Sequence, residues 1–513
     1  MKDANHTQSP APIPVIDLFA GPGGLNEGFS SVGEDTDNPV FQMVGSFEME
    51  RNAVATLTLR STFRILKRAG RVPQAYYDYV SGKISKDDFE QDRAVVDALA
   101  SAKAHVHQIE LGAKTRDEVD KKIASALSGA LKEEGSDWVL IGGPPCQAYS
   151  LAGRSRRTND EKFALDPKHF LYEEYLRIIK QFRPAVFVME NVKGLLSSTN
   201  TGVGMFNQIL RDLRHPDPLH LKYEIRSLVV DEVAEDLLPR DFVIPAEKYG
   251  IPQKRHRIIL LGIRSDVVER TDRVVLTETK PVTVRDAIGD LPSRRSRISP
   301  LAHDSDEAWD QLRSDVRSQV STSRGTDNVM AEPETDGDAV DGDGGEAVVR
   351  YRKWIEDPRI RSTVHHESRS HMTSDIKRYG HLAAKAIELG KTPKFTDLPD
   401  DLVPNHENIK NDVTPFMDRF RVQVWDAPSS TVVSHISKDG HYYIHPDETQ
   451  MRSLTVREAA RLQTFPDNYF FEGSRTAQFH QVGNAVPPLL ALLIAEKVVE
   501  TLRLTKNNDD SKD

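Results

Sequence analysis

The fold of this chain is decided near its amino terminus by the sequence Val15-Ile16-Asp17-Leu18-Phe19-Ala20-Gly21-Pro22-Gly23-Gly24. Its apolar half predicts a buried β-strand, and its glycine-rich half predicts a tight turn into a helix. Such turns bind nucleotides in many α/β proteins, although a solvated turn without a ligand gives the same pattern. The spacing is not GxGxxG, and the ring of Phe19 could lie against a flat base. The turn therefore favours a nucleotide other than a dinucleotide.

Further apolar runs follow the same rhythm along the first half of the chain. Strands are predicted at 40–47, 138–141, 185–189 and 258–263, and helices at 50–59, 169–182 and 203–213. This alternation predicts an α/β fold with a mainly parallel, doubly wound sheet. Ligands of such sheets bind at the carboxyl ends of the strands. The candidate residues Phe19, Glu48, Cys146 and Glu190 all fall at such ends.

Length, charge and apolar content restrict the class of protein. A chain of 513 residues exceeds one ordinary core, so two domains are expected. The net charge of −10 does not exclude a nucleic-acid partner, because eight acids are concentrated in 326–347 and the stretch 350–378 is basic. No apolar run approaches a membrane span, and the amino-terminal residues lack the apolar core of a signal peptide. These features predict a cytoplasmic protein with no membrane contact.

Composition along the chain predicts its organisation. After residue 264 the helix and strand periodicity weakens, and it returns in predicted helices at 454–465 and 487–504. The acidic, glycine-rich stretch is predicted to be disordered. The expected parts are a flexible amino terminus at 1–14, a first domain at 15–264 plus 475–505 with a helical insertion at 61–104, a second domain at 265–474 with the disordered stretch at 326–347, and a flexible tail at 506–513.

The chain has a single cysteine, Cys146, directly after Gly142-Gly143-Pro144-Pro145. A buried thiol acting as a small hydrophobe is the ordinary interpretation of a lone cysteine. Two glycines and two prolines at a strand end instead favour a rigidly presented nucleophile. Glu190 at a neighbouring strand end would complete a nucleophile and acid pair, unless it is a solvated acid. Arg255 and Arg257 could converge on one site or form a basic solvated edge.

Together these segments resemble the cytosine-C5 DNA methyltransferase family. The resemblance rests on six motifs in the family's order, at 17–24, 143–147, 190–192, 253–257, 452–463 and 481–487. It implies a Rossmann-like domain that binds S-adenosylmethionine and releases S-adenosylhomocysteine, together with a smaller target-recognition domain at 265–474. The family's acid against the adenine amino group is replaced here by Gln108, whose amide oxygen can still accept a hydrogen bond.

The resemblance also implies residue roles in cofactor binding. Phe19 would stack on adenine, Glu48 would bind the ribose hydroxyls, and Gly23 would approach the methionine end through its backbone. The implied cofactor residues are Asp17, Phe19, Gly21, Gly23, Gly24, Glu48, Met49, Gln108, Ile109, Pro145, Leu171, Asn484, Ala485 and Val486.

For catalysis the resemblance implies attack of the Cys146 thiolate on a cytosine that has been flipped out of duplex DNA. The implied catalytic residues are Cys146, Glu190, Arg255 and Arg257, and the implied substrate-binding residues are Gln147, Ser150 and Asn191. No metal is expected, and His365, His366 and His371 are interpreted as polar residues that face DNA.

The function predicted from these observations is sequence-specific DNA (cytosine-5)-methylation by a bacterial enzyme of restriction-modification or phage defence. The expected partners are double-stranded DNA, bound by a monomer, and other defence proteins, and the expected location is the nucleoid. A tRNA methyltransferase of the same fold and a non-catalytic DNA-binding relative are the alternatives. A Rossmann-like oxidoreductase lacks the GxGxxG match.

Overall fold

The structure is a computed structural model that describes residues 11–33, 39–131, 137–145, 171–197, 199–200, 203–232, 236–268, 271, 273–324, 345–403 and 419–509. The strands in these ranges are β1 (Ile13–Leu18), β2 (Phe41–Glu48), β3 (Val106–Gln108), β4 (Val139–Gly142), β5 (Val186–Val192), β6 (Thr199–Asn200), β7 (Val203–Gly204), β8 (Tyr223–Arg226), β9 (Val243–Pro245), β10 (Gln253–Lys254), β11 (His256–Arg264), β12 (Arg297–Ser299), β13 (Ser370–Met372) and β14 (Ser429–Ser430).

The α-helices of the same ranges are α1 (Gly24–Ser30), α2 (Arg51–Arg68), α3 (Gln74–Val80), α4 (Lys86–Gln91), α5 (Val96–His105), α6 (Arg116–Ala130), α7 (Leu171–Phe182), α8 (Met205–Arg214), α9 (Ser265–Val268), α10 (Val284–Ile288), α11 (Asp306–Arg324), α12 (Glu346–Ile355), α13 (Thr373–Leu389), α14 (Val456–Leu462), α15 (Arg475–Asn484) and α16 (Pro488–Asp509).

Backbone contacts divide the chain into two units. The first unit comprises Met1–Ala246, His256–Glu278 and Ala485–Asp513, and the second comprises Glu247–Arg255 and Thr279–Asn484. The predicted domains had the same broad plan, with the chain returning to the first domain near its end. In this division α15, at Arg475–Asn484, groups with the second unit rather than with the first.

The first unit is built on an eight-stranded sheet in the order β3-β2-β1-β4-β5-β11-β8, with β9 paired to β11. The strands from β3 to β5 are parallel, as the alternating sequence predicts. β11 runs antiparallel to both β5 and β8. Its amino end therefore lies at the edge where β5 ends, so a residue at the start of this strand, such as Arg257, lies at the carboxyl edge of the parallel strands.

The core of the first unit lies between this sheet and its helices. Apolar residues of β1 and β4 pack with α6 and α7, among them Ile16, Leu140, Ile123 and Tyr175. On α7 the buried positions recur at helical spacing, which is why the sequence predicted this helix correctly. The insertion at 61–104 is helical, as predicted, although α2 runs without a break to Arg68.

The second unit contains more regular structure than its weak periodicity suggested. It includes the helices α11, α12 and α13, together with two pairs of very short strands, β10 with β14 and β12 with β13. Its buried residues form two groups around α13, one with Trp309 and Val316 and the other with Phe420 and Ile444. Many polar residues of the second unit are also buried, which hides the apolar period from sequence analysis.

Several predicted boundaries are wrong. The amino terminus was expected to be flexible through residue 14, but β1 begins at Ile13. The acidic stretch was expected to be disordered through residue 347, but α12 begins at Glu346, and residues 325–344 lie outside the described residues. The tail was expected to be flexible from residue 506, but α16 continues to Asp509.

One apolar segment, Arg475–Leu502, has the length and hydropathy of a membrane span. Of its most apolar window, 72% is buried inside the protein, as in the core helix of a globular fold.

Candidate active site

The glycine turn after β1 has an unusual backbone. Phe19 has a φ of 56°, in the left-handed region that side chains other than glycine rarely adopt. Gly21 and Gly23 follow with φ values of 56° and 97°. Positive φ at a residue with a large side chain is a strained conformation that persists at functional sites when the surroundings enforce it. The backbone of the turn therefore gives the partly buried Phe19 ring an orientation that a relaxed backbone would not give it.

The carboxy-terminal segment of the first unit lies against this turn. A Cβ atom on Gly24 would come within 2.2 Å of the Val486 carbonyl oxygen, and one on Gly28 within 2.3 Å of the Leu492 nitrogen. Both distances are impossible for real side chains, so α1 and the start of α16 touch through their backbones. Ala485 and Val486 are thereby brought beside the turn, while Asn484 ends α15 in the second unit.

Glu48, at the end of β2, accepts three backbone hydrogen bonds. Its Oε2 accepts from the Gly21 nitrogen (2.8 Å), and its Oε1 accepts from the nitrogens of Met49 (2.9 Å) and Glu50 (2.8 Å). A carboxylate has about four acceptor positions, so one remains for a ligand hydroxyl. The bond to Gly21 fixes this carboxylate to the glycine turn, as a ribose-binding acid requires.

The remaining predicted cofactor residues line the neighbouring strand ends. The side-chain amide of Gln108, at the end of β3, donates to the Met49 carbonyl (3.4 Å), and the Ile109 nitrogen donates to the Glu48 carbonyl (2.8 Å). Met49 is 56% exposed, which is unusual for an apolar side chain and leaves its surface open to a ligand. Leu171 begins α7 and Pro145 follows β4, and both are partly exposed.

Asp17 is the most unusual group of this site. Its side chain is completely buried, and neither carboxyl oxygen has a hydrogen-bond partner among the described residues. Burial raises the pKa of Asp17 well above its usual range and the negative charge of Glu48 raises it further; the nearby Asn26 amide, whose hydrogen bond goes to the Ser46 hydroxyl, lowers it only in part. Most buried carboxyls are paired, so this one suits a site that a polar or cationic ligand completes.

The turn, Glu48 and Asp17 therefore fit an adenosyl cofactor with a positively charged methionine end. Such a ligand requires an aromatic ring at the turn, an acid that binds the ribose, and glycines whose backbone it can approach closely. These residues would hold S-adenosylmethionine.

A second group of predicted residues lies at the ends of β4 and β5. Asn191 donates through Nδ2 to the Pro144 carbonyl (3.3 Å), which ties the loop after β4 to β5. A Cβ atom on Gly143 would be 3.0 Å from Oε2 of Glu190, so glycine lets this carboxylate lie against the loop. Cys146, Gln147 and Ser150 lie outside the described residues, but Pro145, one residue before the cysteine, is within them.

Glu190 forms an ion pair with Arg257, with 2.9 Å between Arg257 Nε and Glu190 Oε1. Both side chains are about seven-eighths buried. Burial lowers the pKa of Arg257, and the adjacent carboxylate partly restores it. The antiparallel register, in which Arg257 faces Val192 and Ile259 faces Glu190, produces this pairing. A carboxyl group oriented by a buried guanidinium suits polar recognition of a flat heterocycle.

The prediction that Arg255 and Arg257 converge on one site is wrong. Arg255 is 2% exposed and belongs to the second unit, where it donates to the carbonyls of Val432 (2.8 Å) and Gly483 (3.3 Å). Arg255 lies between β10 and β11 and belongs to neither strand, whereas Arg257 lies within β11. The two arginines therefore do not alternate along one strand. Arg255 stabilises the second unit and is withdrawn from the catalytic set.

The histidines expected to face DNA are also assigned wrongly. His366 and His371 are 2% and 6% exposed. His366 contacts the Thr455 hydroxyl (3.0 Å) and the Pro292 carbonyl (2.7 Å), and His371 contacts the Ser453 hydroxyl (3.1 Å). Among the described residues, no group of three or more His, Cys, Asp or Glu side chains could hold a metal ion.

A buried ion cluster was missed by sequence analysis. Glu27 on α1 accepts hydrogen bonds from Arg60 (2.8 Å) and Arg64 (3.0 Å) of α2. Burial alone would raise the pKa of Glu27, but the two guanidinium groups outweigh it and lower that pKa to about 2. The only sequence signal is the spacing of two arginines four residues apart, which exposed helices also show. The cluster fixes the helix that follows the glycine turn.

The parallel sheet with a nucleotide-type turn and a paired carboxylate beside a Pro-Pro-Cys loop defines the class of Rossmann-like methyltransferases. Comparison with known proteins narrows the class. The C-5 cytosine-specific DNA methylase family matches residues 112–500.

Three relatives illustrate the similarity. Type II methyltransferase M.Bpa9945I of Bacillus paralicheniformis is 34% identical over 95% of this chain and 99% of its own length. M.AgeI of Thalassovita gelatinovora is 29% identical over 70% of this chain and 82% of its own, and M.Eco47II of Escherichia coli is 25% identical over 95% and 79%. The chain belongs to the C-5 cytosine-specific DNA methylase family and is a DNA (cytosine-5)-methyltransferase.

Proposed function

We propose that this enzyme methylates a cytosine flipped out of a specific sequence in duplex DNA, with S-adenosylmethionine as the donor and Cys146 as the nucleophile. One observation carries the proposal. The loop that leads directly into Cys146 is bonded through Pro144 to Asn191, next to the Glu190–Arg257 ion pair. The segment that immediately precedes Cys146 in sequence is therefore fixed beside an oriented carboxyl group.

In the proposed cofactor site, Phe19 stacks on adenine and Glu48 accepts from the ribose hydroxyls. Gly21, Gly23 and Gly24 leave room for the methionine end, against which Ala485 and Val486 close. Around the adenine we place Met49, Gln108, Ile109, Pro145 and Leu171, with Asn484 assigned from the family resemblance alone. The cofactor supplies an electrophilic methyl group on a sulfonium.

The proposed reaction begins at C6 of the cytosine, because C5 is a weak nucleophile until the ring is activated. The Cys146 thiolate adds to C6 and the electron pair moves to C5, while Glu190 binds N3 and the 4-amino group. Arg257 holds Glu190 and contacts O2 of the base. C5 takes the methyl group, a base removes the C5 proton, and elimination of the thiolate restores the aromatic ring. Gln147, Ser150 and Asn191 would position the nucleotide.

The test is substitution of the nucleophile. Cys146→Ala should abolish methyl transfer and leave binding of the target duplex within about twofold, because in the proposed mechanism the bond to sulfur forms only after the duplex has bound. Duplex DNA with 5-fluorocytosine at the target should trap a denaturant-stable adduct with the parent enzyme, since fluorine cannot leave as a proton does. Turnover by Cys146→Ala, or an adduct that survives this substitution, would contradict the mechanism.

We further propose that the second unit is the target-recognition domain and that the enzyme acts as a monomer on DNA in the cytoplasm, at the nucleoid. A link to restriction-modification or phage defence is supported by the Type II names of its relatives. Replacing duplex DNA by tRNA in the methyl-transfer assay distinguishes the alternative substrate. Sequencing for 5-methylcytosine in a methylation-free host expressing the protein identifies the recognition site.

A further inference from the structure

Asp17 is a buried carboxyl group without a hydrogen-bond partner among the described residues, a feature that a shape-complementary cofactor pocket does not need. It lies on β1 with Ser46 of β2 and Ile141 of β4 beside it, and it is fully buried. Neither of its oxygens has a partner among the described residues. A carboxylate of this kind, without a donor or a cation, is strongly disfavoured in an interior, so the isolated protein keeps it as the neutral acid.

Among the described residues, no cation compensates the charge of an ionised Asp17. On β2 the nearest charged group is the Glu48 carboxylate, which opposes ionisation of Asp17. On α1 the Asn26 amide is committed to the Ser46 hydroxyl (3.2 Å). On α7 the neutral Tyr175 hydroxyl donates to the Val188 carbonyl (3.0 Å), and β4 contributes only apolar residues and glycine.

Two buried arginines of the neighbouring helix α2, Arg60 and Arg64, are both bonded to Glu27. Since no described residue supplies a positive charge to Asp17, a cationic ligand can supply it, and the two forms of the cofactor differ in this respect. The methyl donor carries a sulfonium cation, and the demethylated product carries a neutral thioether.

We infer that Asp17 is a charge-sensing residue of the cofactor site, which ionises when the sulfonium form binds and is protonated again when the neutral product is formed. The inference rests on the proposed use of S-adenosylmethionine. Binding transfers the Asp17 proton to the solvent. After methyl transfer the sulfonium charge is lost and Asp17 takes a proton back from the solvent, while the proton leaving C5 remains the net product of the reaction.

This arrangement favours the donor over the product without any contact to the methyl group. Both forms share adenine, ribose, ammonium and carboxylate, so only the charge at sulfur differs. We expect the loss of that charge to weaken binding about tenfold, which corresponds to about 1.4 kcal/mol. Product release from the enzyme would become easier by the same factor.

The experiment is isothermal titration calorimetry of the full-length protein at pH 7.5, in phosphate and in Tris. These buffers differ in ionisation enthalpy, so the difference in measured heat gives the number of protons released. The ligands are S-adenosylmethionine, S-adenosylhomocysteine and sinefungin, which carries an ammonium group in place of the methylsulfonium. Close to one proton should be released with the two charged ligands and none with the neutral product.

Two variants separate charge sensing from ordinary binding. Asp17→Asn should abolish the proton release, weaken both charged ligands roughly tenfold and change the neutral product by less than about twofold. Glu48→Gln, at the ribose shared by all three ligands, should weaken all three alike and keep the proton release.

Equal proton release by all three ligands, or equal weakening of all three by Asp17→Asn, would overturn the inference. The wild-type protein alone also tests it, since proton counts that do not follow ligand charge refute it even if Asp17→Asn fails to fold. Failure of all three ligands to bind the wild-type protein would instead refute the proposed cofactor.

Discussion

Substituting Gly24 by alanine should push α1 away from the backbone of Val486, on which it packs. The added methyl group would lie 2.2 Å from the Val486 carbonyl oxygen and 3.1 Å from its nitrogen, against an ordinary contact of about 3.5 Å. The obstacle is backbone rather than a flexible side chain, so α1 or the start of α16 must move by more than 1 Å. Overpacking of this severity costs about 3 kcal/mol or more.

A loss of that size lowers the melting temperature of a unit this large by about 6–10 °C. Thermal unfolding, followed by fluorescence with and without S-adenosylhomocysteine, measures it. Gly129→Ala is the matched control, since that glycine lies within α6 and a Cβ there meets nothing within 4 Å. The control should stabilise by up to about 1 kcal/mol through helix propensity. Melting temperatures of the two variants within 1 °C of each other would refute the reasoning.

Three further predictions concern the second unit. Arg255→Met should destabilise the unit by about 2–4 kcal/mol, because it leaves two buried carbonyls without donors. The affinity for S-adenosylhomocysteine should stay within about twofold. A stable variant with a defect in kcat alone would show that Arg255 is a catalytic residue. Burial lowers the pKa values of His365 and His371 to about 3. The unfolded chain therefore binds more protons than the folded chain below pH 6.5. For each of the two histidines, the free energy of unfolding should fall by about 1.4 kcal/mol per pH unit as pH drops from 6.5 towards 4. A flat melting temperature over that range, or no flattening by His371→Gln, would contradict this. Replacing 326–344 by a Gly/Ser linker of equal length should leave specific methylation unchanged, and a severalfold loss in kcat/KM would show that the acidic stretch takes part in it.

The sequence predicted the parallel half of the sheet because each strand is an uninterrupted apolar run that ends in a turn residue. It also predicted which residues follow the strand ends, since the order of motifs is local information. The direction of β11 could not be predicted, because a fully buried strand has the same composition in either direction. That direction decides which of Arg255 and Arg257 meets Glu190.

The second unit was harder to predict for a different reason. Its interior holds buried polar residues such as Arg452, Glu458 and His445. Analysis of the hydrophobic pattern predicts such residues to be exposed. The bidentate bonding of Arg452 to Glu458 and the capping box that begins α14 compensate their burial, but only after the chain has folded. Long-range compensation of this kind leaves no periodic signal.

The backbone contact between Gly24 and Val486 has a consequence for biosynthesis. The two residues are about 460 positions apart, so at roughly 5–20 residues per second the ribosome makes the second about 20–90 s after the first. Throughout that interval the glycine turn emerges without the segment that packs on it. During this time α1 of the nascent chain lacks its packing partner, so chaperones have time to bind it, and a truncated translation product would lack the segment that packs on α1.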